Sequence, residues 1–216
     1  MSIQLKQPIR LYHHPLSGHV HRVELFLSLL GLPFEKVLVD LTRGETRTEE
    51  FLARNSFGQL PVIDDGDVTL ADSNAILVYL ATRYDASRQW LPTEAVGAAR
   101  VQRWLSVAAG ELANGPALAR VAVLFNRPRE AAPLELATRL FQLMDRQLAQ
   151  QNFLAGATPT IADVALYTYT AHAPEGGAVL EPFKNVCAWL ARVEALPRFV
   201  DMVRHPAAEP LVAAAA

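Results

Sequence analysis

The pattern of apolar residues changes once along this chain, and that change is the strongest constraint on its fold. Residues 1–84 alternate short β-branched runs with helical spacings, whereas the chain from residue 94 onward is rich in Ala and Leu at helical spacings. The stretch between them is too short for an element that packs by itself. The sequence therefore predicts an α/β domain at 1–84, a linker at 85–93 and an all-α domain at 94–216.

The first part carries the signals of elements in the order βαβαββα. Strand-like alternation at 9–12 and at 34–39 flanks a helical pattern that stops at Gly31, a residue suited to the left-handed position after a helix. A helix between two strands allows a crossover, so we expect these strands to be parallel neighbours. The remaining elements are a short helix, a β-hairpin and a third helix, expected at 48–53, 60–70 and 72–84.

The second part has helical patterns only. The pattern at 95–125 is expected to break at Asn114-Gly115-Pro116, because proline interrupts helical hydrogen bonding. Thr160 and Asp163 have the spacing of a capping box and predict the start of a core helix. The other helices are expected at 134–151, 185–195 and 198–202, and the tail of four alanines is expected to fray.

Charge and cysteine content exclude several classes of protein. Lys and Arg total 20 against 22 Asp and Glu, without a basic run, so we expect neither a nucleic acid nor a membrane surface as partner. The single cysteine, Cys187, cannot form an internal disulfide. The opening residues lack the apolar core of a secretory signal, and no apolar stretch reaches the ~20 residues of a membrane span. We therefore expect a cytoplasmic protein with small partners.

A proline at the start of the third strand raises a question of backbone hydrogen bonding. Proline has no N–H and is normally kept out of strand interiors. A cis Leu60-Pro61 bond would turn the N–H and C=O of Leu60 away from the sheet, where an extended peptide could pair with them. The alternative is an ordinary trans proline in an edge strand.

Four motifs in their order resemble the cytosolic glutathione S-transferases, in particular bacterial members with a serine-type active site. They are Ser17-Gly-His-Val-His-Arg-Val, Asn55-Ser-Phe-Gly-Gln-Leu-Pro-Val, Asp72-Ser-Asn-Ala-Ile and Thr160-Ile-Ala-Asp. The resemblance implies a thioredoxin-like domain that binds glutathione, followed by a helical domain that supplies most of the pocket for a hydrophobic electrophile. It also implies a homodimer, and glutathione as co-substrate without a further cofactor.

The resemblance implies that Ser17 is the catalytic residue. The loop before the first helix contains no cysteine, so the substrate must supply the thiol. A hydroxyl at a helix N-terminus can donate to a thiolate and so increase its reactive fraction. The alternative for Ser17 is a simple N-cap. Tyr12, near the place where tyrosine-type classes carry their hydroxyl, is the second candidate.

The same resemblance assigns the rest of the glutathione site. Asp72 and Ser73 would receive the ammonium and the carboxylate of the γ-glutamyl group, and Leu60 with Pro61 would pair with the cysteinyl backbone. Arg47 lies in the loop where the family often has a His-Lys pair, and it is a candidate for the glycyl carboxylate, although a solvated surface arginine is the alternative.

Four histidines crowd the first loop and invite a metal hypothesis. His13, His14, His19 and His21 do not share a face of a strand or helix, so convergence on one ion is poor and no metal is expected. His19 is instead a candidate to line the thiol site, since some serine-type members have cysteine there. The alternative is an exposed histidine in the first helical turn.

These residues are compatible with four functions. The leading one is a glutathione transferase that activates the thiol for attack on an electrophilic small molecule. The same site could serve a glutathione-dependent disulfide reductase, or the fold could be kept by a non-catalytic glutathione-binding or scaffold protein. Intact Ser17, Pro61 and Asp72 argue against a scaffold. Maleylacetoacetate isomerase is a weaker option, because the serine-rich stretch associated with it is missing.

Overall fold

The computed structural model describes residues 7–209, and its first part has the predicted order of elements. The strands are β1 (Ile9–His13), β2 (Phe34–Leu38), β3 (Val62–Asp65) and β4 (Val68–Ala71). The helices are α1 (Gly18–Leu30), α2 (Glu49–Arg54) and α3 (Ser73–Tyr84). The order βαβαββα and the thioredoxin-like fold are confirmed.

The four strands form one mixed sheet in the order β2-β1-β3-β4. β1 and β2 are parallel, as predicted, with Ile9 opposite Phe34, and β3 joins β1 in the antiparallel direction with Ile63 opposite Leu11. The crossover helix α1 ends where the sequence predicts, because Gly31 adopts φ 67° and its amide closes the last turn. The start of β3 and the first turns of α1 and α3 thereby come together.

The second part contains five α-helices in the described residues. They are α4 (Ala95–Val107), α5 (Leu118–Leu124), α6 (Ala131–Leu148), α7 (Ile161–Ala171) and α8 (Lys184–Glu194). A π-helical segment at 108–117 joins α4 to α5, and Gly115 inside it has φ −97° and ψ −105°. The break predicted at Gly115 and Pro116 is therefore confirmed.

Helix α7 is the centre of the core that both parts share. All of its residues are buried, and it packs against α1 and α3 as well as α4. Its capping box is formed as predicted: the Asp163 carboxylate accepts from the amides of Thr160, at 2.9 Å, and Leu154, at 2.8 Å. The indole of Trp189 donates to the same carboxylate at 2.9 Å. Asp163 thus fixes the start of the helix on which the other domain rests.

The segment after α8 differs from the prediction. No helix forms at 198–202: Arg198 adopts a left-handed φ of 65°, and the chain then continues without regular secondary structure to residue 209. Its carbonyls bond to α1 instead: Arg198 accepts from the Ser28 hydroxyl at 2.7 Å, and Val200 lies 3.0 Å from the His21 ring. The alanine tail predicted to fray lies outside the described residues.

Across residues 7–209, no helix combines the length and the apolar composition that crossing a bilayer requires.

Candidate active site

A cavity of about 430 Å³ opens where α1, the α2–β3 loop and the start of α3 meet. We call it the groove. Five predicted site residues line it: His19, Leu60, Pro61, Asp72 and Ser73. They come from three separate segments of the sequence, so the fold brings together positions that only the family resemblance had grouped.

The Leu60-Pro61 bond is cis, as predicted. Directly after it, Val62 pairs with Tyr12 on one side and Ala71 on the other. The backbone N–H and C=O of Leu60 have no hydrogen-bond partner among residues 7–209. The groove therefore offers one donor and one acceptor of an extended backbone.

Asp72 caps α3 in an unusual backbone conformation. Its φ is 71° and its ψ is 121°, a combination that costs a non-glycine residue about 1–3 kcal/mol. One carboxylate oxygen accepts from the amide of Ala75 at 2.9 Å, while the other has no hydrogen-bond partner within the described part of the chain. An exposed carboxylate oxygen therefore faces the groove beside the N-terminus of a helix of 12 residues.

Ser73 is buried and is held by a buried cation. Its Oγ accepts from Arg22 Nη1 at 2.8 Å, and Arg22 also donates to Asn74 Oδ1 at 3.0 Å. Arg22 is 1% exposed, and within the described residues its guanidinium bonds to Ser73 and Asn74 but to no carboxylate. Burial lowers the pKa of Arg22 to about 10, so the guanidinium stays charged at neutral pH. Because the Ser73 hydroxyl accepts a hydrogen bond from this charged guanidinium, it is suited to bind an anionic group.

Arg22 is a site residue that the sequence does not reveal. It stands in the Ser17 motif, where nothing distinguishes it from the rest of the pattern. Its guanidinium reaches 51 residues ahead to Ser73, and no local spacing indicates that contact. The only available signal is an arginine at a fixed distance after Ser17.

His19 is a neutral ring in the groove wall. It packs edge-on against Tyr169 of α7, with ring centroids 5.0 Å apart, and its Nδ1 lies 3.4 Å from Ser73 Oγ. Burial and then the charge of Arg22 lower the pKa of His19 to about 3. His19 therefore contributes shape and a hydrogen-bonding nitrogen at neutral pH, but no positive charge.

Ser17 is the N-cap of α1, and its Oγ accepts from the amide of Val20 at 3.3 Å. It does not line the groove; it lines a second cavity of about 100 Å³ together with His14 and Met202. Its hydroxyl proton has no acceptor among residues 7–209. Ser17 thus stands two residues before the groove residue His19, with a donor free at the N-terminus of α1.

Tyr12 points to the other side of the sheet. Its hydroxyl donates to Asp64 Oδ2 at 2.8 Å, and its ring packs edge-on against Phe51 of α2. It lines neither the groove nor the cavity of Ser17. Burial, and then the hydrogen bond to Asp64, raise the pKa of Tyr12. The structure therefore does not bring this second candidate hydroxyl to the groove.

Arg47 is not among the residues that line the groove. It is exposed, and its Nη1 donates to the carbonyl of Phe57 at 3.4 Å. Arg54 lines the groove in its place, held by Glu50 at 3.1 Å and stacked over Tyr12. The difference between the two arginines arises because the last turn of α2 carries Arg54 towards the sheet.

The four histidines of the first loop are divided between two cavities. His13, His14 and His21 border the cavity of Ser17, whereas His19 borders the groove. His21 is buried between Thr168 and the carbonyl of Val200. Within the described residues, no set of three or more His, Cys, Asp or Glu side chains is arranged to hold a metal ion.

An apolar cavity of about 260 Å³ lies elsewhere, between α5 and α6. It contains none of the predicted site residues. Tyr169 of α7 contacts the first turn of α1, and Trp104 of α4 borders a separate polar cavity with Arg100 and Gln147.

The fold defines a class: a thioredoxin-like domain with a cis-proline directly before β3, followed by a helical domain. Comparison with family models makes the class specific. "Glutathione S-transferase, N-terminal domain" matches residues 7–82, and "Glutathione S-transferase, C-terminal domain" matches residues 125–197.

Individual relatives agree over nearly the whole chain. Glutathione S-transferase 3 of Zea mays is 35% identical over 208 residues, which cover 91% of this chain and 93% of the maize protein. A glutathione S-transferase structure from Pseudomonas fluorescens Pf-5 superposes with a TM-score of 0.85 at 35% identity, covering 91% and 100% of the two chains. A glutathione transferase homologue from Drosophila mojavensis, solved with bound glutathione, has a TM-score of 0.80 at 27% identity and covers 88% and 89%. The chain belongs to the glutathione S-transferase family.

Proposed function

We propose that this family member is a glutathione transferase that binds glutathione in the groove and activates its thiol with Ser17. The observation that carries the proposal is the meeting of three groups in one cavity: the unpaired backbone of Leu60, the free carboxylate oxygen of Asp72 and the hydroxyl of Ser73. Glutathione has a matching group for each of them. A serine-type active site in a bacterial family member is part of this proposal.

The γ-glutamyl group would bind at the start of α3. Its ammonium pairs with the Asp72 carboxylate, and its carboxylate accepts from Ser73 and from the helix N-terminus. The buried Arg22 charge behind Ser73 favours an anion at this place, because it has no carboxylate partner within the described residues. The γ-glutamyl group, which carries both an ammonium and a carboxylate, would therefore meet a negative charge at Asp72 and a positive charge behind Ser73.

The cysteinyl and glycyl parts would follow the loop that leads into β3. The N–H and C=O of Leu60 pair with the cysteinyl backbone as an added strand does. For the glycyl carboxylate, Arg54 lines the groove, whereas Arg47 touches it only through the carbonyl of Phe57. We favour Arg54 for this role, with Arg47 as the alternative.

Ser17 would act on the sulfur. A free thiol has a pKa of about 8.5 and is mostly protonated at neutral pH. The Ser17 hydroxyl donates to the thiolate, and the N-terminus of α1 adds its dipole, so the ionised form is favoured. The sulfur then attacks the electrophilic carbon, and a carbon–sulfur bond forms. In a substitution, the leaving group departs with the electron pair of its bond to that carbon. In an addition, the adduct keeps the electron pair and takes up a proton.

The remaining parts of the proposal concern the whole molecule. We infer domains at 1–84 and 94–216 joined by the linker 85–93, where Trp90 packs on Phe26 of one part and bonds to Ile161 of the other. We also propose a hydrophobic electrophile, glutathione as co-substrate without a further cofactor, a homodimer and a cytoplasmic location. No contact among the described residues favours a disulfide reductase or a scaffold protein.

Two assays test the function. Conjugation of glutathione to 1-chloro-2,4-dinitrobenzene should proceed well above the uncatalysed rate, and reduction of hydroxyethyl disulfide by the same preparation should be much slower. A structure with bound glutathione should place the γ-glutamyl group at Asp72 and Ser73. Disulfide reduction without conjugation, or a γ-glutamyl group bound elsewhere, would contradict the proposal.

A further inference from the structure

A buried ion pair lies behind the loop that carries Ser17. Arg120 of α5 donates from Nε to Glu175 Oε2 at 2.5 Å, and the two side chains are 1% and 4% exposed. The other oxygen of Glu175 is 2.5 Å from His172 Nδ1 and accepts from the amide of His205 at 3.0 Å. The Glu175 carboxylate is therefore bonded by groups from three segments: α5, the turn after α7 and the C-terminal segment.

Stability is a weak explanation for such a pair. Removing two charges from water costs about as much as their attraction returns, and apolar side chains of similar volume often serve as well. A buried ion pair has a clearer use when its geometry fixes something else. One guanidinium nitrogen of Arg120 does make such a contact.

Arg120 Nη1 donates to the carbonyl of Leu16 at 2.9 Å. This hydrogen bond joins residues 104 positions apart and crosses from the helical part to the loop between β1 and α1. The other bonds of the loop are local: the Ser17 amide donates to the His14 carbonyl at 3.0 Å, and the Leu16 amide to the His14 ring at 3.3 Å. In the described part of the chain, the Leu16 carbonyl has no partner besides Arg120.

The Leu16 carbonyl and the Ser17 amide belong to one peptide unit. Because that unit is planar, a group that holds the carbonyl also fixes the plane from which the Ser17 Cα and side chain extend. Arg120 can do this while paired, since its planar fork presents Nε to Glu175 and Nη1 to Leu16 at the same time. A lysine has one ammonium and cannot reproduce both contacts in this geometry.

The charge of Arg120 also acts near the first turn of α1. The ring of Tyr169 packs against Gly18 so closely that a Cβ there would lie 2.7 Å from Tyr169 Cζ. Burial raises the pKa of the Tyr169 hydroxyl, and the charges of Arg22 and Arg120 act against that rise. Both arginines therefore place positive potential beside the helix N-terminus where the thiolate is proposed to form.

We propose that Arg120 is a positioning residue for thiol activation: anchored by Glu175, it holds the peptide plane before Ser17 so that the Ser17 hydroxyl is aimed at the glutathione sulfur. The inference rests on the proposed function of Ser17. It also gives the helical domain a part in the chemistry of the glutathione site, beyond lining the electrophile pocket.

The experiment compares variants that remove the Leu16 contact without leaving a buried charge alone. Arg120→Lys keeps a cation for Glu175, and the double variant Arg120→Met with Glu175→Gln removes both charges. Thr168→Val is the matched control, because it deletes another buried bond between the two parts, from Thr168 Oγ1 to His21 Nδ1, at 2.9 Å. Ser17→Ala is the reference for complete loss of the hydroxyl.

We expect a separation of kcat from KM. Both Arg120 variants should lower kcat for conjugation about tenfold, as a rise of one unit in thiol pKa would. Their KM for glutathione should stay within about twofold, because Asp72, Ser73 and Leu60 are untouched. Thr168→Val should lower the melting temperature with kcat unchanged. The thiolate absorbance of bound glutathione should fall in both Arg120 variants and remain in the control.

Three results would overturn the inference. The first is wild-type kcat in both Arg120 variants while Ser17→Ala is impaired, which refutes the role of Arg120 alone. The second is an equal loss of kcat in Thr168→Val, which makes the effect one of general packing. The third is wild-type kcat in Ser17→Ala, which refutes the proposed role of Ser17 and the inference with it.

Discussion

Replacing Asp72 by asparagine separates the two tasks that the structure gives this residue. In Asp72→Asn the side-chain amide keeps an oxygen for the amide of Ala75, now bonded at 2.9 Å, and asparagine tolerates positive φ, so the cap of α3 should survive. Only the negative charge is lost. If Asp72 binds the γ-glutamyl ammonium, glutathione affinity should fall while the fold stays intact.

The size of the loss follows from the exposure of Asp72. A hydrogen bond to a charged group contributes about 1.5–3 kcal/mol when well shielded, and Asp72 is exposed, so about 1–2 kcal/mol is expected. That corresponds to about a 5–30-fold increase in the dissociation constant of glutathione. Asp72→Ala should lose the same affinity and, in addition, about 1–2 kcal/mol of stability, because the cap is gone and alanine sits at φ 71°.

Isothermal titration calorimetry with glutathione and chemical denaturation measure the two quantities independently. Asp67→Asn, in the exposed turn between β3 and β4, is the matched control and should change neither. A dissociation constant for Asp72→Asn equal to that of the parent would refute the assignment of the γ-glutamyl group to Asp72.

Three further outcomes are expected. The pKa of His19 is about 3 in the folded protein and about 6.5 in the unfolded chain, so the unfolded chain binds more protons between these values. The free energy of unfolding should therefore fall as the pH drops from 7 to 5. Denaturation at both pH values should show that His19→Gln removes about 1–2 kcal/mol of that fall. Arg54→Ala should raise KM for glutathione about tenfold and Arg47→Ala less than twofold, and the reverse order would restore Arg47 as the glycyl partner. Asp163→Ala should destabilise the fold by at least about 3 kcal/mol in denaturant unfolding, since it orphans buried donors, and a loss below about 1 kcal/mol would contradict that role.

The order of elements could be predicted from the sequence because local signals and the fold agree. Gly31 ends α1, Asp72 caps α3, and Thr160 with Asp163 starts α7, each through contacts within a few residues. The helix predicted at 198–202 is wrong for the opposite reason. The carbonyls of this segment bond to side chains of α1, which is far away in sequence, and no local signal indicates those contacts.

The kind of site could be predicted from the sequence, but the positions of its side chains could be predicted only in part. Family motifs named the residues that line the groove, but no spacing shows where a long side chain ends. Arg22 and Arg120 act through contacts 51 and 104 residues away, so their roles appear only in the folded chain. Arg47 and Arg54 are close in sequence, and the orientation of α2 decides which of them reaches the groove.

The central claim is that the Ser17 hydroxyl stabilises the thiolate of bound glutathione, and a titration of that thiolate tests it most directly. The ultraviolet absorbance of the thiolate is followed against pH at saturating glutathione for the parent and for Ser17→Ala. We expect the variant to bind glutathione nearly as well, to titrate at a higher pH and to lose up to ~10²–10³-fold in turnover, as one donor at an anionic centre would predict. Coincident titration curves for the two proteins would contradict the account and leave Ser17 as a helix cap.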